Sequence, residues 1–168
     1  MMSNLTTEKK ENVMTVTRTF DAPRELVFEV YSNCKHLMNW YGGEEWPLSK
    51  CEMDFREGGR WTYCFKMPNE EPCGMAIYRE ISRPAKIVYK DHFLDEKGEI
   101  SKELPASLIT LAFTEDNGKT TVINHWEYPT ESDLDLMLEM GAVEGMAEIW
   151  KRLDEYLKQI QTKKNNNE

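Results

Sequence analysis

Residues 134–160 read LDLMLEMGAVEGMAEIWKRLDEYLKQI, and this stretch decides the fold. Its apolar residues recur every three or four positions, which is the spacing of one face of an α-helix. They are Leu136, Met140, Val143, Ala147, Trp150, Leu153, Leu157 and Ile160. A helix of this length would reach roughly 40 Å at 1.5 Å per residue, enough to cross a whole β-sheet. Gly141 and Gly145 lie inside the stretch and predict a close backbone approach or a local irregularity.

The middle of the chain has the two-residue period of β-strands. Trp61, Tyr63 and Phe65, for example, alternate with polar residues, and Gly58 and Gly59 precede them at a predicted hairpin. Strands are predicted at residues 13–20, 48–56, 59–67, 73–81, 86–93, 107–114 and 120–128. Successive hairpins without helices between them require antiparallel pairing. Two short helices, near residues 23–31 and 35–41, are predicted after the first strand.

These patterns predict an α+β fold, in which a curved antiparallel sheet of six or seven strands wraps around a long C-terminal helix. The length of 168 residues fits one domain. We place that domain at residues 12–161, with flexible tails at 1–11 and 162–168, because both ends are polar and aperiodic.

Composition excludes several function classes. The chain has 21 basic and 30 acidic residues, a net charge of −9, which argues against binding to nucleic acid or to an anionic membrane surface. No targeting segment or membrane span is visible, so a cytoplasmic location is predicted. Cys34, Cys51, Cys64 and Cys73 lack metal-site spacing. They are therefore predicted to be reduced and buried, with no metal and no cofactor, although a reactive thiol at Cys34 or Cys73 stays open.

A sheet bent over one helix should leave space between the two layers. Large apolar side chains are expected to point into that space, and flexible methionines and aromatic rings would suit an apolar ligand. The candidate ligand-binding residues are Trp40, Trp61, Tyr63, Phe65, Met75, His125, Met137, Met140, Met146 and Trp150. Plain core packing is the alternative interpretation of such a set, because protein interiors are normally close-packed.

No sequence motif identifies a catalytic centre. The candidate acid and base groups are His36, His92 and His125, with Asp54, Asp91 and Glu127 as partners. His125 and Glu127 are two residues apart on a predicted strand and so share a face, as a carboxylate that orients an imidazole requires. A structural hydrogen-bonded pair on the sheet is the alternative interpretation.

The chain resembles the helix-grip (START-like, SRPBCC) superfamily, and within it the branch of activator of heat-shock-protein-ninety ATPase homologues. The resemblance runs through RTFDAPRELVF at 18–28, LMNWY at 37–41, DFREGGRW at 54–61, Gly74, EISRP at 80–84, SLITLAFTE at 107–115, TTV at 120–122 and GAVEGMAEIWKRLDEYL at 141–157. It implies a sheet wrapped round a C-terminal helix and, commonly, a cavity for hydrophobic small molecules.

We therefore expect non-catalytic binding of a small hydrophobic or aromatic molecule, lipid-like or polyketide-like, between sheet and helix. Two alternatives stay open. The resemblance implies a module that interacts with a chaperone. The other alternative is an enzyme of the cyclase or hydrolase type that uses His125.

Overall fold

The structure, a computed structural model, describes residues 5–166. Its strands are β1 (Thr6–Lys10), β2 (Val13–Phe20), β3 (Leu48–Met53), β4 (Arg60–Phe65), β5 (Cys73–Ser82), β6 (Lys86–Phe93), β7 (Ser107–Asp116) and β8 (Lys119–Glu127). Its helices are α1 (Arg24–Tyr31), α2 (Cys34–Leu37), α3 (Glu131–Glu139) and α4 (Ala142–Asn166). The two-residue and 3.6-residue periods of the sequence thus fall on the strands and helices that they predict.

All eight strands form one antiparallel sheet in the order β1-β2-β8-β7-β6-β5-β4-β3. The strands inside the sheet have a buried and a more exposed face, most clearly β8, where Val122, Asn124 and Trp126 are buried. In β2, Val16 lies opposite Asn124 and is also buried. We call the face that carries these buried residues the inner face, and the opposite one the outer face.

The helices cover the inner face. Trp150 of α4 is fully buried and packs edge-on against Phe20 of β2, with 5.6 Å between the ring centroids. From α1, Phe28 packs against Phe113 of β7 in the same way, at 5.5 Å. The arrangement confirms the predicted α+β helix-grip fold with an open, curved antiparallel sheet. Among the helices of residues 5–166, none is long and apolar enough to cross a membrane.

The sheet has one strand more than the six or seven predicted. Thr6–Lys10 forms β1 at the edge of the sheet, paired with β2, although these residues were predicted to belong to a tail. All five are exposed, so no hydrophobic alternation marks the strand, and its backbone pairing is what orders it. At the other end α4 runs to Asn166, past the predicted end of the helix. Residues 1–4 and 167–168 of the predicted tails lie outside the described residues.

The long C-terminal helix is divided in two. α3 ends at Glu139 and α4 begins at Ala142, and Gly141 between them has a φ of +92°. This left-handed conformation costs little for glycine but is strained for other residues. The local irregularity predicted for this stretch is therefore at Gly141. Thr130 begins α3 by accepting a hydrogen bond at Oγ1 from the backbone N–H of Asp133, at 3.0 Å.

Two glycines one turn apart should respond oppositely to alanine. Gly141→Ala is expected to lower the free energy of unfolding by about 1–2 kcal/mol, because of its positive φ. Gly145→Ala should raise it by about 0.5–1 kcal/mol, because a Cβ there would lie 3.8 Å from Trp46, an ordinary contact. Urea denaturation of both variants measures the difference. Equal effects of the same sign would contradict the described break between α3 and α4.

The cysteine prediction was wrong. Cys34 is bonded to Cys51 and Cys64 to Cys73, so no free cysteine remains among the described residues. Two tertiary contacts explain the pairing, since α2 packs against β3 and Cys64 lies directly opposite Cys73 in the β4–β5 ladder. Neither contact is visible in the spacing of the cysteines along the sequence.

Candidate functional site

A cavity of about 240 Å³ lies between the inner face of the sheet and the helices α3 and α4, and it is partly open to solvent. Its walls are Tyr41, Trp46, Tyr63, Phe65, Tyr89, Asp91, Phe93, Ser107, Ile109, Asn124, Trp126, Tyr128, Met137, Ala142, Gly145, Met146 and Ile149. An engineered apolar cavity of about 150 Å³ binds benzene, whereas drug-sized ligands occupy about 300–1,000 Å³. The size therefore suits a molecule of one or two rings.

Small residues create the space. On the helix side Ala142 and Gly145 face the cavity with little or no side chain. On the sheet side Gly74 lies opposite Tyr63 in the β4–β5 ladder. A Cβ at Gly74 would come within 2.5 Å of the Tyr63 ring, so only glycine lets that ring lie across β5.

A tyrosine and a carboxylate form the main polar contact in the wall. The Tyr63 hydroxyl donates a hydrogen bond to Oδ1 of Asp91, at 2.8 Å. Burial raises the pKa of Asp91 to about 7, although the hydrogen bond from Tyr63 acts in the opposite direction. The pKa of Tyr63 is raised well above its usual value, first by burial and then by the nearby Asp91 charge. Asp91 therefore changes its charge close to neutral pH while Tyr63 stays protonated.

Asn124 is a second polar residue in the wall. Its exposed fraction is 3%, and its Oδ1 has no hydrogen-bond partner among the residues that the structure describes. Burying an amide oxygen without a partner costs about 1–3 kcal/mol. A donor supplied by a bound molecule or by water would remove that cost.

Four of the ten predicted ligand-binding residues line the cavity: Tyr63, Phe65, Met137 and Met146. The other six do not line this cavity, for three reasons. Trp40, Trp61 and Trp150 are buried in the core. Met75 and His125 belong to the outer face, and Met140 is 58% exposed at the break between α3 and α4.

Trp40, Trp61 and Trp150 belong to the hydrophobic core, and two of them donate indole hydrogen bonds within it. Trp40 donates from Nε1 to the carbonyl of Val30 at 3.2 Å. Trp150 donates from Nε1 to the Tyr31 hydroxyl at 2.8 Å. For these three tryptophans the alternative interpretation, plain core packing, describes the structure.

The predicted acid–base pair does not face the cavity. His125 lies on the outer face of β8, where its Nδ1 is 2.8 Å from Oγ1 of Thr15 on β2. Glu127 shares that face but is exposed at the end of the strand. His125 therefore makes a cross-strand contact and does not line the cavity.

Sequence reasoning missed most of the aromatic wall and both unusual polar residues. Trp46, Tyr89, Trp126 and Tyr128 line the cavity without having been singled out. The sequence indicates Asp91 only as a possible partner for a histidine. The alternation of the strands could have identified both polar residues, because residues two apart on a strand share a face. Asp91 is two residues from Tyr89 on β6, and Asn124 is two residues from Trp126 on β8.

A second, wider depression of about 620 Å³ lies over β3, β4 and the loop that follows β6. Charged and polar residues such as Lys50, Glu52, Thr62 and Glu71 line it. A larger share of its wall is polar than in the inner cavity, so it matches an apolar ligand less well. Within residues 5–166, no group of three or more His, Cys, Asp or Glu side chains is placed to hold a metal ion.

Comparisons with known proteins give one family and many similar folds. The family model described as "Activator of Hsp90 ATPase homolog 1-like protein" matches residues 21–158. No curated protein sequence matches the chain. The solution structure of a Staphylococcus epidermidis protein is 34% identical, with a TM-score of 0.80 over 92% of this chain and 94% of that one.

Two further solved structures are similar along nearly their whole length. A crystal structure of a Mycobacterium smegmatis protein is 27% identical, with a TM-score of 0.84 over 91% of this chain and 96% of that one. A solution structure from Arthrobacter aurescens is 24% identical, with a TM-score of 0.87 over 94% and 93%. The similarity to the Arthrobacter aurescens structure is evidence for the fold alone.

Proposed function

Because the chain belongs to the family of activator of Hsp90 ATPase homolog 1-like proteins, we propose that it uses its helix-grip fold to bind a small, largely apolar molecule between sheet and helix. The observation that carries the proposal is the cavity of about 240 Å³, walled by eight aromatic side chains and two methionines. Aromatic rings and methionine provide large, adaptable contact area for a ring-shaped ligand. The proposal assigns no catalytic step to the cavity.

Methionine methyl groups allow a direct test. Met137 and Met146 line the cavity, whereas Met38 and Met140 are exposed elsewhere. Titration with a set of one- and two-ring aromatic compounds should shift the methyl NMR signals of Met137 and Met146 and leave those of Met38 and Met140 unchanged. Shifts confined to the exposed methionines, or none with any compound, would overturn the proposal.

Filling the cavity should abolish binding. Ala142→Phe adds a ring at a position in the cavity wall, so we expect at least tenfold weaker binding of any compound that shifts Met137 and Met146. Met140→Phe is the matched control, because Met140 is 58% exposed. Isothermal titration of both variants measures the effect. An Ala142→Phe protein that is folded and binds like the unmodified chain would show that the ligand lies elsewhere.

The family description favours a second candidate, action on a chaperone ATPase as a protein partner. The same methionine signals separate it from cavity binding, since a large partner would broaden exposed methyl groups such as Met38, Met67 and Met140. This role would place the protein in the cytoplasm. The two cysteine pairs are evidence against that location, because disulfides are rare in reducing compartments.

A further inference from the structure

We propose that the ligand of this cavity is an organic ammonium ion, whose charged nitrogen lies at Asp91 and whose apolar body lies along the aromatic wall. The inference rests on the proposed function and specifies its ligand class. Three independent features of the wall support it: a carboxylate without a cationic partner, a surround of aromatic rings, and an acceptor oxygen that lacks a donor.

The carboxylate is the first feature. Asp91 is on the inner face, and its side chain accepts a hydrogen bond from the neutral Tyr63 hydroxyl. Among the residues that the structure describes, no Lys, Arg or His lines the cavity, and Asp91 takes part in none of the ion pairs. An ionised carboxylate in such surroundings is costly unless a positive charge approaches it. A cationic ligand would supply that charge.

The aromatic rings are the second feature. Eight of the cavity residues are aromatic: Tyr41, Trp46, Tyr63, Phe65, Tyr89, Phe93, Trp126 and Tyr128. The faces of such rings carry partial negative charge and attract cations, most strongly where water is excluded. A cage of rings beside a carboxylate is more favourable to an ammonium group than to a neutral or an anionic one.

The third feature is the amide of Asn124, whose Oδ1 lacks a donor. In the strand register Asp91 lies opposite Ser107, and Asn124 lies opposite Leu111 farther along the same strand, β7. The two polar residues are therefore separated along the cavity, with Tyr89 between them in the strand direction. The Asp91 carboxylate and the Asn124 side-chain oxygen are both acceptors, so a donor on the bound molecule can be matched at either place.

The protonation of Asp91 gives the binding a defined pH dependence. The titratable groups around it are Tyr41, Tyr63, Tyr78, Tyr89 and Tyr128, and each has a pKa raised above its usual value. The helix side of the cavity is formed by Met137, Ala142, Gly145, Met146 and Ile149, which do not titrate. Because the pKa of Asp91 is about 7, affinity for an ammonium ion should rise up to about tenfold per pH unit below that value and level off above it.

Three probes of nearly equal shape test the charge preference: 2-phenylethylamine, 2-phenylethanol and phenylacetate. Binding is followed at pH 8 by the methyl signals of Met137 and Met146. We expect the amine to bind at least about tenfold more tightly than the alcohol, and the acid to bind more weakly than either. In Asp91→Asn the amine should lose at least that factor, while the alcohol should bind as before.

Asp54→Asn is the matched control, because Asp54 is exposed and pairs with Arg56 away from the cavity. It should keep the preference for the amine. The inference is overturned if the alcohol or the acid binds as tightly as the amine at pH 8, if Asp91→Asn leaves the preference intact, or if no probe binds. The first two results would leave the proposed cavity function standing. Only a failure of the wider set of aromatic compounds as well would remove that function.

Discussion

Replacing Asp91 by Asn is expected to stabilise the protein at pH 8, by about 2–4 kcal/mol, and to flatten its stability between pH 4 and pH 7. An unfolded Asp titrates near 3.9, whereas burial raises the pKa of Asp91 to about 7 in the folded protein. Between those values the unfolded chain has lost its proton and the folded chain still holds it, so folding becomes less favourable as pH rises. Asparagine has no charge to bury and can still accept the hydrogen bond from Tyr63.

The expected gain in the free energy of unfolding follows from the same pKa values. Three pKa units at about 1.4 kcal/mol each give an upper limit near 4 kcal/mol. The lower figure allows for the partial exposure of Asp91. Urea denaturation at one-unit pH steps from 4 to 8 measures both proteins, and Asp54→Asn controls for the loss of one surface carboxylate. Parallel pH profiles for Asp91→Asn and the unmodified protein would mean that folding does not raise the pKa of Asp91.

Trp150→Ala should cost about 3–5 kcal/mol of the free energy of unfolding. The indole is fully buried, packs edge-on against Phe20, and donates a hydrogen bond to the Tyr31 hydroxyl. Its removal would leave a large void and deprive the buried Tyr31 hydroxyl of its donor. This loss is a large part of the stability of an average domain.

Two methionine truncations nearby in the chain give reference values for this effect. Met146→Ala should cost less, about 1–2 kcal/mol, because one side of this side chain already faces empty space. Met140→Ala should change stability by no more than about 0.5 kcal/mol, because Met140 is 58% exposed. Denaturant unfolding gives all three values. If Met146→Ala proved as costly as Trp150→Ala, the space beside Met146 would have to be filled.

The fold was predictable because it depends on periods that run over many residues. The apolar stripe through Trp150, Leu153 and Leu157 predicts a long helix, and the alternation around Trp61 predicts a hairpin. The structure contains both. β1 was not predicted because all residues of Thr6–Lys10 are exposed, so the sequence has no alternation of apolar and polar residues there. The division of the helix could be located only approximately, since the positive φ of Gly141 is a property of the folded backbone.

The site was less predictable because it depends on which face each strand buries. In β5, Met75 is flanked by Gly74 and Ala76, so hydrophobicity alone does not distinguish the inner from the outer face. In β8, the buried Trp126 shows which alternate residues face inward, so Asn124 lies on the inner face and His125 on the outer face. The alternation in β8 could therefore have shown that His125 faces outward. The hydrogen bond from Tyr63 to Asp91 joins β4 to β6, and no sequence pattern predicts such a contact between separate strands.

The central claim is that an apolar chamber separates the sheet from the C-terminal helices, and a crystal structure determined under xenon pressure tests it most directly. Xenon binds in apolar space of this scale. We predict ordered xenon in contact with Tyr63, Met137 and Met146, the residues that bound the space of about 240 Å³. A structure in which these side chains meet one another, with no xenon between them, would contradict the account.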